Sequence, residues 1–173
     1  MITRDNLTAL LVNLGFNKQA SRYSKTIGSA TLSVDLAKGD IVYPAGLTVN
    51  KETTCNFSFN ENFVVLECVH RLLEKGYKPE HIELEPTWKL GHGASGGRAD
   101  ILIRDNASKP LLIIECKTAG SEFKKAWNKT LQDGDQLFSY AQQIGETQFL
   151  CLYASDFDDG TLTYTSHIVA HRD

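Results

Sequence analysis

Three runs follow one another without a break: Ala99-Asp-Ile-Leu-Ile-Arg104, Asp105-Asn-Ala-Ser-Lys-Pro110 and Leu111-Leu-Ile-Ile-Glu-Cys-Lys117. Together they read as a β-hairpin. The first run alternates and carries β-branched residues. The third is a nearly continuous apolar run, as a strand buried on both faces should be. The run between them is made of turn formers. A turn centred on Ala107 and Ser108 places Asp100 opposite Glu115. Side chains alternate along a strand, so Ile113, Glu115 and Lys117 share one face. Asp100 and Leu102 are expected to meet that face across the ladder.

Two carboxylates and a lysine at the end of an apolar hairpin match the needs of a hard dication beside a phosphate. Mg²⁺ takes oxygen ligands, keeps several waters, and needs only one or two carboxylates besides substrate oxygens. Asp100 and Glu115 supply the carboxylates, and the main-chain carbonyl of Cys116 offers a third oxygen. A metal held there lowers the pKa of a bound water and offsets charge on a scissile phosphate. Lys117 is placed to orient or deprotonate that water, or to neutralise developing charge. The competing reading is an ion pair of Lys117 with Glu115 or Asp100. Spacing alone does not separate the two. Burying charges for stability alone is unfavourable, which tilts the balance toward function.

The pattern of Asp100 followed by Glu115-x-Lys117 resembles the PD-(D/E)XK nuclease superfamily, with Ala99 in the place of the motif's proline. Gln136-Leu-Phe-Ser-Tyr140 follows in the right order. It is similar to the Q-x-x-x-Y signature of RecB-like nucleases and of the amino-terminal nuclease domains of type I restriction motor subunits. Gln136 and Tyr140, at i and i+4, share a helical face. The resemblance spans about Phe57 to Ile168. It implies a restriction-endonuclease-like α/β/α sandwich with a central mixed sheet. It also implies a Mg²⁺-dependent deoxyribonuclease, with Mn²⁺ able to substitute. Its partners would be double-stranded DNA and motor, methyltransferase or specificity modules in the same chain or complex. In such nucleases a helix acid often joins the metal shell. Glu61 is the candidate, on a stripe with Val65, Cys68 and Leu72. Glu67 and then Glu74 come after it. Glu61 also closes a Ser58-x-x-Glu61 capping box, which is an alternative reason for its presence.

Composition is that of an ordinary globular chain, with 42% apolar and 23% charged residues in 173. The four cysteines, at 55, 68, 116 and 151, show no C-x-x-C spacing. Three of them fall in strand or helix runs and read as buried thiols in a reducing compartment, so a cytoplasmic location is expected. No apolar run approaches a membrane span and the amino terminus has no signal-peptide character. The net charge of −3 argues against a free-standing, tight DNA binder. From Trp88 to Thr130, however, eight Lys/Arg stand against four Asp/Glu. Lys124, Lys125 and Lys129, with Trp127 among them, form either a phosphate-facing edge or a solvated helix face. Gly91 to Gly96 matches GxGxxG, but a strand follows it rather than a helix, so a dinucleotide site is rejected. It reads as a loop from which His92 and Arg98 reach phosphate, or as a plain surface loop.

The remaining elements follow from periodicity. A short helix is expected over 5–14, closed by Gly15, and a hairpin over 31–43. Residues 44–52 form a link. A helix is expected over 59–75, ended by Gly76. Extended segments are expected over 82–90, 148–153 and 162–169, and a helix over 130–144. Residues 1–50 read as an extension packed on a core of 51–173, the whole being the amino-terminal part of a larger protein or a stand-alone relative. The leading function is a metal-dependent DNA endonuclease domain of a restriction system. The alternatives are a repair or recombination nuclease, and a non-cleaving DNA-binding or structural module.

Overall fold

The structure, a computed structural model, describes residues 1–87, 98–133 and 147–170. It is an α/β fold with two sheets and three α-helices among the described residues. Helix α1 (Arg4–Asn13) leads into β1 (Asn17–Gln19), β2 (Arg22–Ile27), β3 (Ala30–Asp35) and β4 (Asp40–Val42). These four strands form an antiparallel sheet in chain order. The expected 31–43 hairpin is the β3–β4 pair. Strands β1 and β2 were not anticipated, because Asn17 to Ile27 is polar and only Tyr23 in it is buried.

The second sheet is mixed, in the order β10-β9-β8-β7-β6-β5. Its members are β5 (Thr48–Val49), β6 (Ile82–Leu84), β7 (Ile101–Arg104), β8 (Pro110–Thr118), β9 (Phe149–Asp158) and β10 (Thr161–Ala170). The β8–β9 and β5–β6 pairs are parallel and the others antiparallel. Parallel neighbours need a crossover. Helix α2 (Glu61–Glu74) lies between β5 and β6 in the chain, and α3 (Ser121–Asp133) between β8 and β9. No helix was expected over 121–129, and most of the helix expected over 130–144 lies outside the described residues. The lysine-rich first turns of α3 hid it, because only Phe123 and Thr130 are buried there.

Alternation along the strands sorts the core into two layers. Ile101, Ile103, Ile114, Cys116, Cys151 and Tyr153 join the cluster that includes α2 and the four-stranded sheet. Leu102, Ile113, Leu150, Leu152 and Ala154 join Phe123 and Trp127 of α3. Helix α2 is buried nearly all round, from Asn62 to Leu73 apart from Arg71. Truncating its fully buried Phe63 to alanine would cost about 3–5 kcal/mol. Cys68 of α2 meets Cys116 of β8, whose thiol burial pushes well above its ordinary pKa. Burial also raises the Cys151 thiol, to about 12, while Cys55 is only half-buried.

Polar links tie the amino-terminal elements to this core. The Asn6 side chain donates to the Phe157 carbonyl at 2.9 Å. The Lys25 ammonium donates to the Leu14 carbonyl at 2.7 Å and meets His70 Nε2 at 2.9 Å and Glu74 at 2.6 Å.

Candidate nuclease site

The β7–β8 turn sets the register of the site. Asp105 accepts the N–H groups of Ala107 and Lys109, both at 2.8 Å, and Ser108 takes φ 62°. The pairs Ile101↔Ile114, Leu102↔Ile113 and Ile103↔Leu112 follow. One further step along that register sets Asp100 opposite Glu115, as the turn centred on Ala107 and Ser108 requires. The regular ladder stops one residue short of this pair. Ala99 packs on the same side as Leu102, so alternation breaks between them. Asp100 itself precedes β7, which begins at Ile101. Its Oδ2 accepts the Cys116 N–H at 2.7 Å, a carboxylate where a ladder carbonyl would otherwise serve.

Glu115 and Lys117 follow Ile113 along β8. Lys117 Nζ donates to Glu115 Oε1 at 2.8 Å and lies 3.6 Å from Glu61 Oε2. Glu61 is the first residue of α2, with Asn60 as N-cap. The Ser58–Glu61 capping box does not form, because the helix starts two residues later than Ser58 would require. That position gives Glu61 the favourable end of the helix dipole. It also leaves its carboxylate 37% exposed, facing the strand lysine. Glu67 and Glu74 lie elsewhere. Glu67 is fully buried, with Tyr153 and Arg71 donating to it at 2.5 and 2.6 Å, and Glu74 pairs with Lys25.

The electrostatics of this group are strained. Burial raises the Asp100 pKa well above its ordinary value, and the charges of Glu115 and Glu61 add to the rise. Burial also raises Glu115, against the opposing pull of Lys117. Burial disfavours the Lys117 ammonium, but Glu115 and Glu61 outweigh it and hold the lysine above its usual range. One ammonium thus serves a cluster of three acids. Glu115 Oε2 is buried with no hydrogen-bond partner among the described residues. A buried acceptor left in that state is costly, and a second cation would satisfy it.

The donor set suits Mg²⁺ or Mn²⁺ rather than a softer metal. Cys116 can contribute only through its main chain, since its thiol belongs to the α2 layer beside Cys68. An extended residue directs its N–H and C=O to the same edge of its strand, so the Cys116 carbonyl follows the N–H that meets Asp100. Among the described residues no three His, Cys, Asp or Glu side chains are arranged to hold a metal by themselves. Mg²⁺ asks for less, one or two carboxylates completed by water and substrate oxygens.

Arg98, expected at phosphate, pairs with Glu85 at 3.3 Å and keeps 49% of its side chain exposed. Trp127 is stacked on His167 of β10, with ring centroids 4.3 Å apart, so it packs within the fold. Lys125 pairs with Glu122, and Lys124 and Lys129 are exposed. Gln136, Tyr140 and His92 lie outside the described residues. Sequence reasoning missed Glu85, which is buried beside the Asp100 segment. Its only signal was an acid next to Pro86 at the end of an alternating run.

Residues 60–155 match the family described as the type I restriction enzyme R protein N terminus. The chain belongs to that family. The match runs from Asn60, beside Glu61, through the β7–β8 hairpin and into β9, so it contains all four clustered residues. No curated protein matches the chain. As a restriction-enzyme amino-terminal domain it has a place in a restriction system. No helix among its described residues is long and apolar enough to cross a membrane.

Proposed function

We propose that this chain is a metal-dependent DNA endonuclease domain of a type I-like restriction system, hydrolysing phosphodiester bonds on a PD-(D/E)XK core. In this reading residues 51–173 are that core, a restriction-endonuclease-like α/β/α sandwich. Residues 1–50 are an extension that braces it. The observation that carries the reading is the convergence of Glu61, Asp100, Glu115 and Lys117 around a buried, unpartnered Glu115 oxygen.

Asp100 and Glu115 would hold Mg²⁺, or Mn²⁺ in its place, with the Cys116 carbonyl beside them. The bound ion supplies a water of lowered pKa and charge for the scissile phosphate. Lys117 orients the attacking water and meets the negative charge that grows on phosphorus oxygens. Glu61 holds Lys117 from the helix side and would offer a third carboxylate to the metal. Gln136 and Tyr140 assist DNA placement, and Arg98 reaches a backbone phosphate. Most of the grip on double-stranded DNA comes from motor, methyltransferase or specificity modules, since the domain is acidic overall.

The test is cleavage of closed-circular DNA by the parent enzyme, with all its modules, in Mg²⁺ or Mn²⁺ and in chelator. Metal-dependent linearisation that Asp100→Asn abolishes supports the reading. Cleavage unaffected by Asp100→Asn and Glu115→Gln removes it.

A further inference from the structure

Glu85 lies outside the clustered residues, yet it holds the segment carrying Asp100 at two points. Its main-chain N–H donates to the Asp100 carbonyl at 2.9 Å. Its Oε1 meets Arg98 Nη1 at 3.3 Å and accepts a short hydrogen bond from the Thr53 hydroxyl. The side chain is 2% exposed, and Oε2 has no partner among the described residues. Its backbone takes φ 48°. A left-handed conformation costs a non-glycine residue about 1–2 kcal/mol, and Pro86 biases its predecessor toward extended backbone. An acid is therefore held, buried and strained, where a glycine would fit the backbone more easily.

The geometry explains what such an acid does. Residues 98–100 enter β7 without the regular ladder, which starts at Ile101. Two contacts hold this stretch before the ladder begins, an isolated bridge between Thr87 and Arg98 and the Glu85 bonds. Thr53 is the middle residue of η1 (Glu52–Thr54), the short turn before α2, and anchors Glu85 from behind. The Asp100 carboxylate must then reach across to the Cys116 N–H.

We propose that Glu85 is a positioning residue: braced by Thr53, it clamps Arg98 and so fixes the 98–100 segment with the Asp100 carboxylate on the Cys116 amide. Its importance for activity rests on the reading of Asp100 as a metal ligand, but the clamp itself is measurable without metal. The same contact explains why Arg98 is retained beside the acids although half of it is in solvent. Its charge also works against the rise of the Glu115 pKa.

Amide hydrogen exchange on the full chain in chelator tests the clamp. Exchange at Cys116 is read against Ile113, which lies on the same strand inside the regular ladder. Glu85→Ala should raise the Cys116 rate relative to Ile113 by about tenfold or more, as a local opening would. Glu85→Gln, which keeps an oxygen for Thr53 and Arg98, should restore most of the protection. A merely structural loss would speed both amides alike. An unchanged ratio, or a uniform acceleration, overturns the proposal. If Glu85→Ala does not fold, Arg98→Gln alters a half-exposed side chain and carries the same expectation. Mn²⁺ titration adds a separate arm, with affinity expected to fall about tenfold in Glu85→Ala. If Asp100→Asn binds Mn²⁺ as well as the parent does, the metal reading fails while the exchange result still decides the clamp.

Discussion

Lys117 of β8 and Glu61 at the first turn of α2 lie 3.6 Å apart, which joins the end of a central strand to the start of the helix behind it. The contact brings a helix acid to Glu115, which shares the same ammonium, with Asp100 near enough to feel both acids. Glu61→Gln tests whether this is more than an ion pair. The side chain is partly exposed, so the fold should survive, with a loss of about 1 kcal/mol at most from the helix-dipole contact. Mn²⁺ affinity, read by calorimetric titration, should fall several-fold. Unaltered affinity would confine Glu61 to tethering Lys117.

Lys117→Ala in the parent enzyme should still bind DNA and metal but cut poorly, by roughly 10²-fold or more in a single-turnover assay. Lys117→Arg should rescue little, because a guanidinium differs in shape and does not give up its proton. Wild-type cutting by Lys117→Ala would reduce the lysine to a salt-bridge partner.

The raised pKa of Asp100 predicts a conflict between stability and metal binding. A carboxyl whose folded pKa lies above its unfolded value stabilises the fold at low pH and loses that contribution as pH rises through the folded value. Ionising Asp100 in the folded chain therefore carries a cost in chelator, which burial, Glu115 and Glu61 make heavier. Asp100→Asn keeps an oxygen for the Cys116 N–H and removes the charge. It should raise the melting temperature in chelator by about 2–4 °C and abolish any further rise on adding Mn²⁺. A lower melting temperature in chelator would contradict this account.

His70 gives the opposite pH dependence. Burial first, and then the facing Lys25 charge, lower its pKa to about 4, with Glu74 opposing and Arg71 adding to the fall. The unfolded chain binds a proton at His70 near pH 6.5, where the folded chain does not. Stability from this site should therefore be full above about pH 6.5 and decline as pH falls toward 4. His70→Gln should flatten that part of the melting curve. A pH dependence identical to the parent between pH 4 and 6.5 would exclude His70 as its source.

Glu67 tests the distinction between a site acid and a structural one. It is buried in a knot with Arg71 and Tyr153, and the Arg71 guanidinium sits 3.8 Å from the centre of the Tyr164 ring. Tyr153→Phe removes one donor to a buried carboxylate and should cost about 1–3 kcal/mol in denaturant unfolding. Metal affinity should not change. A selective loss of metal binding would move Glu67 back into the site.

The hairpin was legible because its turn chemistry, apolar run and acid spacing all agree, and one register satisfies them together. Asp100 opposite Glu115 followed from that register. The hydrogen bond that the Asp100 carboxylate accepts from the Cys116 amide did not, because it depends on where the ladder stops. Glu61 was visible as an acid on an apolar stripe, but only packing of α2 against β8 brings it to Lys117. Helix α3 over 121–129 was obscured by an amphipathic face rich in lysine. Glu85 was hidden among Glu80, which is exposed, and Glu83, which is half-buried and pairs with Arg104, and no spacing rule distinguishes it. Long-range contact, rather than local pattern, separates these acids from one another.

The thiols inside the fold give this domain a built-in chemical clock. Cys116 lies between Glu115 and Lys117 in the chain but faces the opposite layer, against Cys68. An alkylating reagent can reach it only when the central strand itself comes loose, whereas half-buried Cys55 is accessible much earlier. The order in which the two sulfurs are labelled would thus time the opening of the strand that bears Glu115 and Lys117.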